Sequence, residues 1–392
     1  MRVLVFGVEK WIGIARLPKL LRDAGFTVGV LTAEGTFIQA TRHADGMFKL
    51  PRVDGPTVLK ALGGAVDDWG AELIVPGDDS VLSMLQEIAG MDARGGPTGL
   101  SESAASVVRR SLPAPRHFDA TTRKRAFAEL CGQLRVPTPE WRTAVNMADL
   151  LAFAEGFGYP VVVKGDAGVA GAGVHVCRDE DDLAKAGYAS LTQFKSHGRP
   201  GAVEPVLVQK YVEGSIRHFI SVSWEGSVVA GVAGIKLRVW PPATGPSTVI
   251  QFVEAGQIEE YVGVLTSHAR FTGFASHDYV VEEGTGKTYL IECNPRPVAG
   301  TSACVHAGVD LGAALFARAT GSPRPRFFLR DGTVVALYPQ EVVRDPDSEF
   351  LKTAIVDRPD DDPNLLAAYD AYIAGAHAGA AAEGKRRLPA NS

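Results

Sequence analysis

The chain has 392 residues, of which 46% are hydrophobic and 22% charged, with a formal net charge of −5. These values suit an ordinary globular protein of two or three domains. They leave no polybasic footprint for nucleic acid or an anionic membrane. No apolar run reaches the length of a membrane span, and no signal peptide is apparent in MRVLVFGVEKW. The four cysteines show no CxxC spacing and read as reduced, mostly buried thiols of a cytoplasmic protein.

In chain order, residues 2–7 form a short apolar strand that stops at Gly7. Residues 13–25 have helical spacing, with Leu17, Leu20 and Leu21 near one face. A strand at 26–34, a helix at 58–70 and a strand from 71 into the polar loop at Asp78 and Asp79 follow. Alternation of strand and helix predicts a doubly wound parallel sheet, with ligands at the carboxyl ends of its strands. Glu9, Lys10, Asp78 and Asp79 fall there, and Asp79 reads as a helix cap before it reads as a substrate ligand. A dinucleotide site is disfavoured, because Gly7 and Gly13 enclose no GxGxxG and Glu34 is a single acid after a strand.

The proline-rich stretch 112–124 reads as a boundary. Helices at 122–134 and 146–158 follow, the second capped by Asn146. From 159 onward the pattern is of strands, at 159–165, 173–179, 205–212, 217–226 and 227–240. Their short connections predict mostly antiparallel pairing. The tail from about 375, rich in alanine and glycine and then basic, reads as a frayed or disordered end with no assigned function.

Two stretches carry chemistry. In YPVVVKGDAGVAGAGV a strand runs into Lys164 and then into glycines. The lysine precedes the loop, so this is neither GxxxxGK[ST] nor GxGxxG, and a surface lysine before a hairpin stays open. In HDYVVEEGTGKTYLIECNPRP two strand-like runs flank the turn GTG. With its tip at Thr285, Asp278 falls opposite Glu292, and Asn294 joins the same face. Two opposed carboxylates repel, and a divalent cation reverses that cost. An oxygen-only set of Asp278, Glu292 and Asn294 suits Mg²⁺ or Mn²⁺ over zinc, with Arg296 close by. The plain alternative is a solvent-facing acidic hairpin, to which Glu282 and Glu283 belong.

Taken in order, the basic helix head at Lys124, the strand–Lys164–glycine loop, the strand ending in QKYVEG and the hairpin ending in ECNPR resemble the ATP-grasp superfamily over roughly residues 1–320. The resemblance is to carboxylate–amine ligases of the biotin carboxylase, carbamoyl-phosphate synthetase and D-alanine–D-alanine ligase type. It implies an α/β and α+β chain: a Rossmann-like domain at 1–113, a linker helix and lid subdomain at 114–205, a subdomain with the metal site at 206–325, and a C-terminal extension at 326–392. It implies ATP phosphates on Lys124 and Lys164, a lid that includes Gly168, Gly171 and Gly173, and adenine beside Gln209, Lys210, Tyr211 and Val212. Gln209 stands where the family has Glu. Glu213 is the nearest stand-in for a ribose acid that SIRHF does not offer. Mg²⁺ or Mn²⁺ falls to Asp278, Glu292 and Asn294, and the transferred phosphoryl group to Arg296, Lys236 and Arg238. The implied reaction joins a small-molecule carboxylate to an amine, in a cytoplasmic enzyme, with a homodimer through the N-terminal domain as in relatives. Bicarbonate carboxylation, a kinase reaction and a non-catalytic nucleotide module stay open. His218 and His175 read as satisfied or surface histidines, and Trp240 to Pro242 as a loop.

Overall fold

The computed structural model describes residues 1–166, 173–193, 205–242 and 245–386. Four strands, β1 (Arg2–Gly7), β2 (Thr27–Ala33), β3 (Gly46–Leu50) and β4 (Leu73–Pro76), form a parallel sheet in the order β3-β2-β1-β4. Val3 to Phe6 of β1 are buried on both faces, which is why this strand is apolar without alternation. The helix at 13–25 is shorter than its spacing suggested, Leu17–Asp23, because Pro18 sits in its first turn.

The next four strands, β5 (Trp141–Ala144), β6 (Val161–Gly165), β7 (Val174–Cys177) and β8 (Val206–Lys210), make a small antiparallel sheet ordered β5-β8-β6-β7. Helices Met147–Phe157 and Glu180–Gln193 cover it, and Val161, Val163, Val206 and Val208 pack on Leu150, Phe153 and Leu183. The Asn146 side chain caps the first of these helices, accepting from Asp149 N as its sequence position implies. Because β8 belongs to this sheet, a domain boundary at 205/206 cuts it; the chain leaves the small sheet only after Lys210.

The third sheet has seven strands in the order β13-β12-β9-β10-β11-β14-β15, namely β9 (Gly214–Trp224), β10 (Ser227–Val239), β11 (Ser247–Val253), β12 (Gly273–Glu282), β13 (Thr288–Asn294), β14 (Val334–Leu337) and β15 (Ile355–Asp357). The last two strands come from the supposed C-terminal extension, so a boundary at 325 also divides a sheet. Residues of β1, β2 and β4 share one core with β9, β10, β11 and the helix Leu311–Thr320, which fixes the N-terminal sheet against the large one. The tail is helical over Pro363–Arg386; Leu365 and Tyr369 are buried against Ala15, and residues 387–392 lie outside the described residues. No helix among the described residues is long and apolar enough to cross a membrane.

Candidate active site

The site lies where the three sheets meet. On the large sheet, Asp278 of β12 is in register with Glu292 of β13, and Ser276 with Asn294. Beyond Glu292 the register slips, so that Tyr279 faces Leu290 and Ile291 is an extra, bulged residue. The bulge separates two needs. Leu290 turns with Tyr279 into the core beneath helices Lys124–Gln133 and Gln257–Ala269, whereas Glu292 turns to the opposite, open face.

Two lysines reach these carboxylates. Lys236 Nζ on β10 donates to Asp278 Oδ2 at 2.5 Å, and Lys124 Nζ lies 3.8 Å from Glu292 Oε2. Lys124 is placed from a distance. Its helix has no side-chain cap of its own, and Asp166, just past β6, substitutes: its carbonyl accepts from Lys124 N and its carboxylate from Arg125 N. One strand end thus carries Lys164 and also seats Lys124. Lys164 is 4% exposed and donates to Gln209 Oε1 at 2.7 Å on the neighbouring β8. Burial lowers its pKa to about 8; the Glu292 and Asp278 carboxylates oppose the shift and Lys124 adds to it.

The N-terminal sheet supplies the far wall. Asp78, after β4, accepts from Val81 N as the cap of helix Asp79–Ala93, and from Val8 N and Glu9 N after β1. Burial raises its pKa against these hydrogen bonds. Asp79 therefore is not the cap. Its two oxygens accept from Arg296 Nε at 2.8 Å and Nη2 at 2.6 Å, and the guanidinium lies 5.8 Å from the Trp11 ring. His218 of β9 sits between Asp278 and Gly234 on the sheet floor, 4% exposed, and its Nε2 finds no hydrogen-bond partner among the described residues. Burial, then the charge of Lys236, lowers its pKa to about 3.

Three cavities converge on Glu292. One, of about 250 Å³, runs from Lys164 and Gln209 past Lys210, Tyr211 and Val212 to Asp278. A second, of about 160 Å³, is lined by Glu9, Trp11, Asp79, His218, Lys236 and Arg296. A third, of about 290 Å³, opens at Arg123, Lys124 and Asn294. The apolar slot, the pocket at Arg123 and Lys124, and the walled chamber holding Arg296 share Glu292 in their linings.

Residues 123–222 match the family described as carbamoyl-phosphate synthase L chain, ATP binding domain. The fold extends the likeness well beyond that segment. The biotin carboxylase domain of Hydrogenobacter thermophilus 2-oxoglutarate carboxylase, solved with MgADP, superposes with a TM-score of 0.61, covering 85% of this chain and 73% of that one at 20% identity. This chain has the ATP-grasp fold. Staphylococcus aureus N5-carboxyaminoimidazole synthetase complexed with ADP gives 0.62 over 85% and 81% at 13% identity, and an L-amino acid ligase from Bacillus licheniformis 0.54 over 81% and 73% at 15%. Among curated proteins, the C-terminal section of the carbamoyl phosphate synthase large chain of Methanocaldococcus jannaschii is 26% identical over 46% of this chain and 29% of its own length. That of Methanopyrus kandleri is 26% identical over 46% and 34%. The chain thus matches about a third of those relatives' length.

Against the ATP-grasp expectation, the fold brings Lys124, Lys164, Gln209, Lys210, Tyr211, Val212, Lys236, Asp278, Glu292, Asn294 and Arg296 to the lining of the three cavities. Among the described residues, Arg238, Glu213 and Gly173 do not join them. Arg238 reaches the C-terminal segment, 3.7 Å from Glu349 and over the Phe350 ring. The cause is a register shift in β10 around Leu237, which breaks the alternation that would have set Arg238 beside Lys236. Glu213 is exposed outside the apolar slot, where its carbonyl accepts from Glu283 N. Gly168 and Gly171 lie outside the described residues; Gly173 begins the return into β7, its carbonyl accepting from Gly165 N. Sequence reasoning set His218 aside as a satisfied or surface histidine and missed the partner of Arg296. The first looks like any strand histidine, and the second stands 217 positions away. Among the described residues no three His, Cys, Asp or Glu side chains gather to hold a metal. The set of two carboxylates and an amide is sparse, as suits a cation that keeps phosphate oxygens and water as its other ligands. All four cysteines are free, three of them buried.

Proposed function

We propose that the chain is an ATP-dependent, ADP-forming ligase that activates a small-molecule carboxylate as an acyl phosphate and joins it to an amine. The observation that carries this reading is the convergence of three cavities on Glu292, which lines both the apolar slot beside Lys164 and the chamber walled by the buried Arg296. The slot beside Lys210 to Val212 would take the adenine, and Lys164 and Lys124 the phosphates. Asp278, Glu292 and Asn294 would hold Mg²⁺ or Mn²⁺. A bound cation supplies neutralisation of charge on the β- and γ-phosphate oxygens.

The remaining work falls to the chain's own groups. Phosphoryl transfer needs positioning and fixed positive charge more than a covalent nucleophile. Lys124 and Lys236 flank the paired carboxylates, where the transferred group would pass. Arg296 is held in the acceptor chamber by Asp79 and would stabilise the oxyanion formed when the amine attacks. Glu9, Trp11 and Asp79 line the chamber and would limit the water that otherwise hydrolyses the acyl phosphate. A cytoplasmic, biosynthetic role and a homodimer go with the same reading.

The test is turnover of ATP by the full chain with Mg²⁺ and the proteinogenic amino acids, offered together as acids and as amines. ADP and phosphate should appear with particular pairs and vanish in Glu292→Gln. ADP release that requires bicarbonate and no amine replaces the ligase reading with a carboxylase one.

A further inference from the structure

Both carboxylates of the paired site already face a positive charge supplied by the protein. Lys236 Nζ lies 2.5 Å from Asp278 Oδ2, and Lys124 Nζ lies 3.8 Å from Glu292 Oε2. A cation held by the same oxygen at the Mg–O distance of about 2.0–2.1 Å would stand within about 4.6 Å of that ammonium. Their like charges repel at such range, so lysine and cation compete for the carboxylate. Lys236 also lines the nucleotide slot as well as the acceptor chamber, so its ammonium has a place to go.

We propose that Lys236 occupies the cation's place on Asp278, and that the site accepts a divalent cation only when nucleotide phosphates draw the lysine off. The inference rests on the nucleotide reading above. It makes Lys236 a positioning residue: an internal counter-ion that keeps the acidic pair closed to free cations and couples cation binding to nucleotide binding. By reciprocity, each ligand then strengthens the other by the same factor.

The probe is Mn²⁺ alone, followed by electron paramagnetic resonance with the full chain and no nucleotide. Wild type should bind it weakly. Lys236→Met should bind it at least about tenfold tighter, since a plugging charge is gone. Lys236→Arg, which keeps the charge, should resemble wild type, and adding Asp278→Asn to Lys236→Met should abolish the gain. Lys236→Gln repeats the comparison with a polar chain, and thermal melting verifies that each variant is folded. Equal Mn²⁺ affinity in wild type and both neutral variants overturns the proposal. Calorimetry of ADP binding, in chelator and then with Mn²⁺, is read separately. If ADP binds in neither condition, the nucleotide reading fails, while the nucleotide-free Mn²⁺ comparison still decides the role of Lys236.

Discussion

Asp79 and Arg296 stand 217 residues apart in sequence and form a bidentate pair that fastens the helix after β4 to the end of β13. The arginine side chain is 8% exposed and the aspartate 32%. Removing the carboxylate leaves a buried guanidinium unpaired, and the partial exposure of Asp79 tempers the cost. Asp79→Asn should lower stability by about 2 kcal/mol in chemical denaturation, between the values for exposed and fully buried pairs. If the pair aims Arg296 as proposed, kcat falls far more than KM rises, and Asp79→Glu restores part of it. A loss of stability with unchanged turnover would make the pair purely structural.

Lys164 predicts a conflict between stability and binding. Its folded pKa, about 8, lies below the ordinary lysine value of 10.5. The unfolded chain therefore binds more protons between these values, and stability rises with pH from about 8 towards 10.5. Below pH 8 the buried charge is a cost. At pH 7 Lys164→Met should stabilise the free protein by on the order of 2 kcal/mol, while weakening ADP binding at least tenfold. In the wild type ADP affinity should decline as pH rises above about 8, whereas Lys164→Arg keeps a flat profile. Calorimetry across pH measures both.

Two buried histidines predict acid sensitivity. His218 and His277 have folded pKa values lowered by burial to about 3 and about 4, from an ordinary 6.5. The unfolded state takes up protons first, so stability is lost as pH falls below about 6.5. Each group contributes up to about 1.4 kcal/mol per pH unit. Denaturant midpoints should show a steep loss between pH 6.5 and 4, and His277→Gln should flatten the slope. A slope unchanged in that variant would place the acid sensitivity elsewhere.

The floor of the acceptor chamber predicts a steric coupling. A Cβ on Gly234 would fall 2.6 Å from His218 Nε2 and 2.7 Å from Ile250 Cγ2. Gly234→Ala should therefore destabilise by about 1–3 kcal/mol. Combining it with His218→Ala should cost less than the sum of the two changes, a coupling that a double-mutant cycle measures.

Alternation of strand and helix predicted the parallel first sheet, and short connections the mostly antiparallel strands after residue 159, because a parallel pair needs a long crossover and an antiparallel pair does not. The pairing of Asp278 with Glu292 was legible for a mistaken reason. An even hairpin about Thr285 gives that register, but the tip pairs one residue off, with Val281 facing Thr288, and the bulge at Ile291 restores it. Arg238 lies away from the three cavities through the same physics, since a bulge near Leu237 redirects it. Bulges answer to packing by distant helices and leave no local signal. Lys124 was legible as a helix head, but not its seat on Asp166, which comes from another strand. The strands β14 and β15 went unread because each is short and completes a sheet that begins with β9, more than a hundred residues earlier.

The central claim is that a carboxylate oxygen is transferred to the departing phosphate through an acyl phosphate. The acid that the amino-acid panel identifies, labelled with heavy oxygen in its carboxylate, is turned over with ATP, Mg²⁺ and the amine, and the released phosphate is weighed by mass spectrometry. The account predicts one heavy oxygen in the phosphate, with ADP as the nucleotide product. Unlabelled phosphate, or the label in AMP, would contradict it.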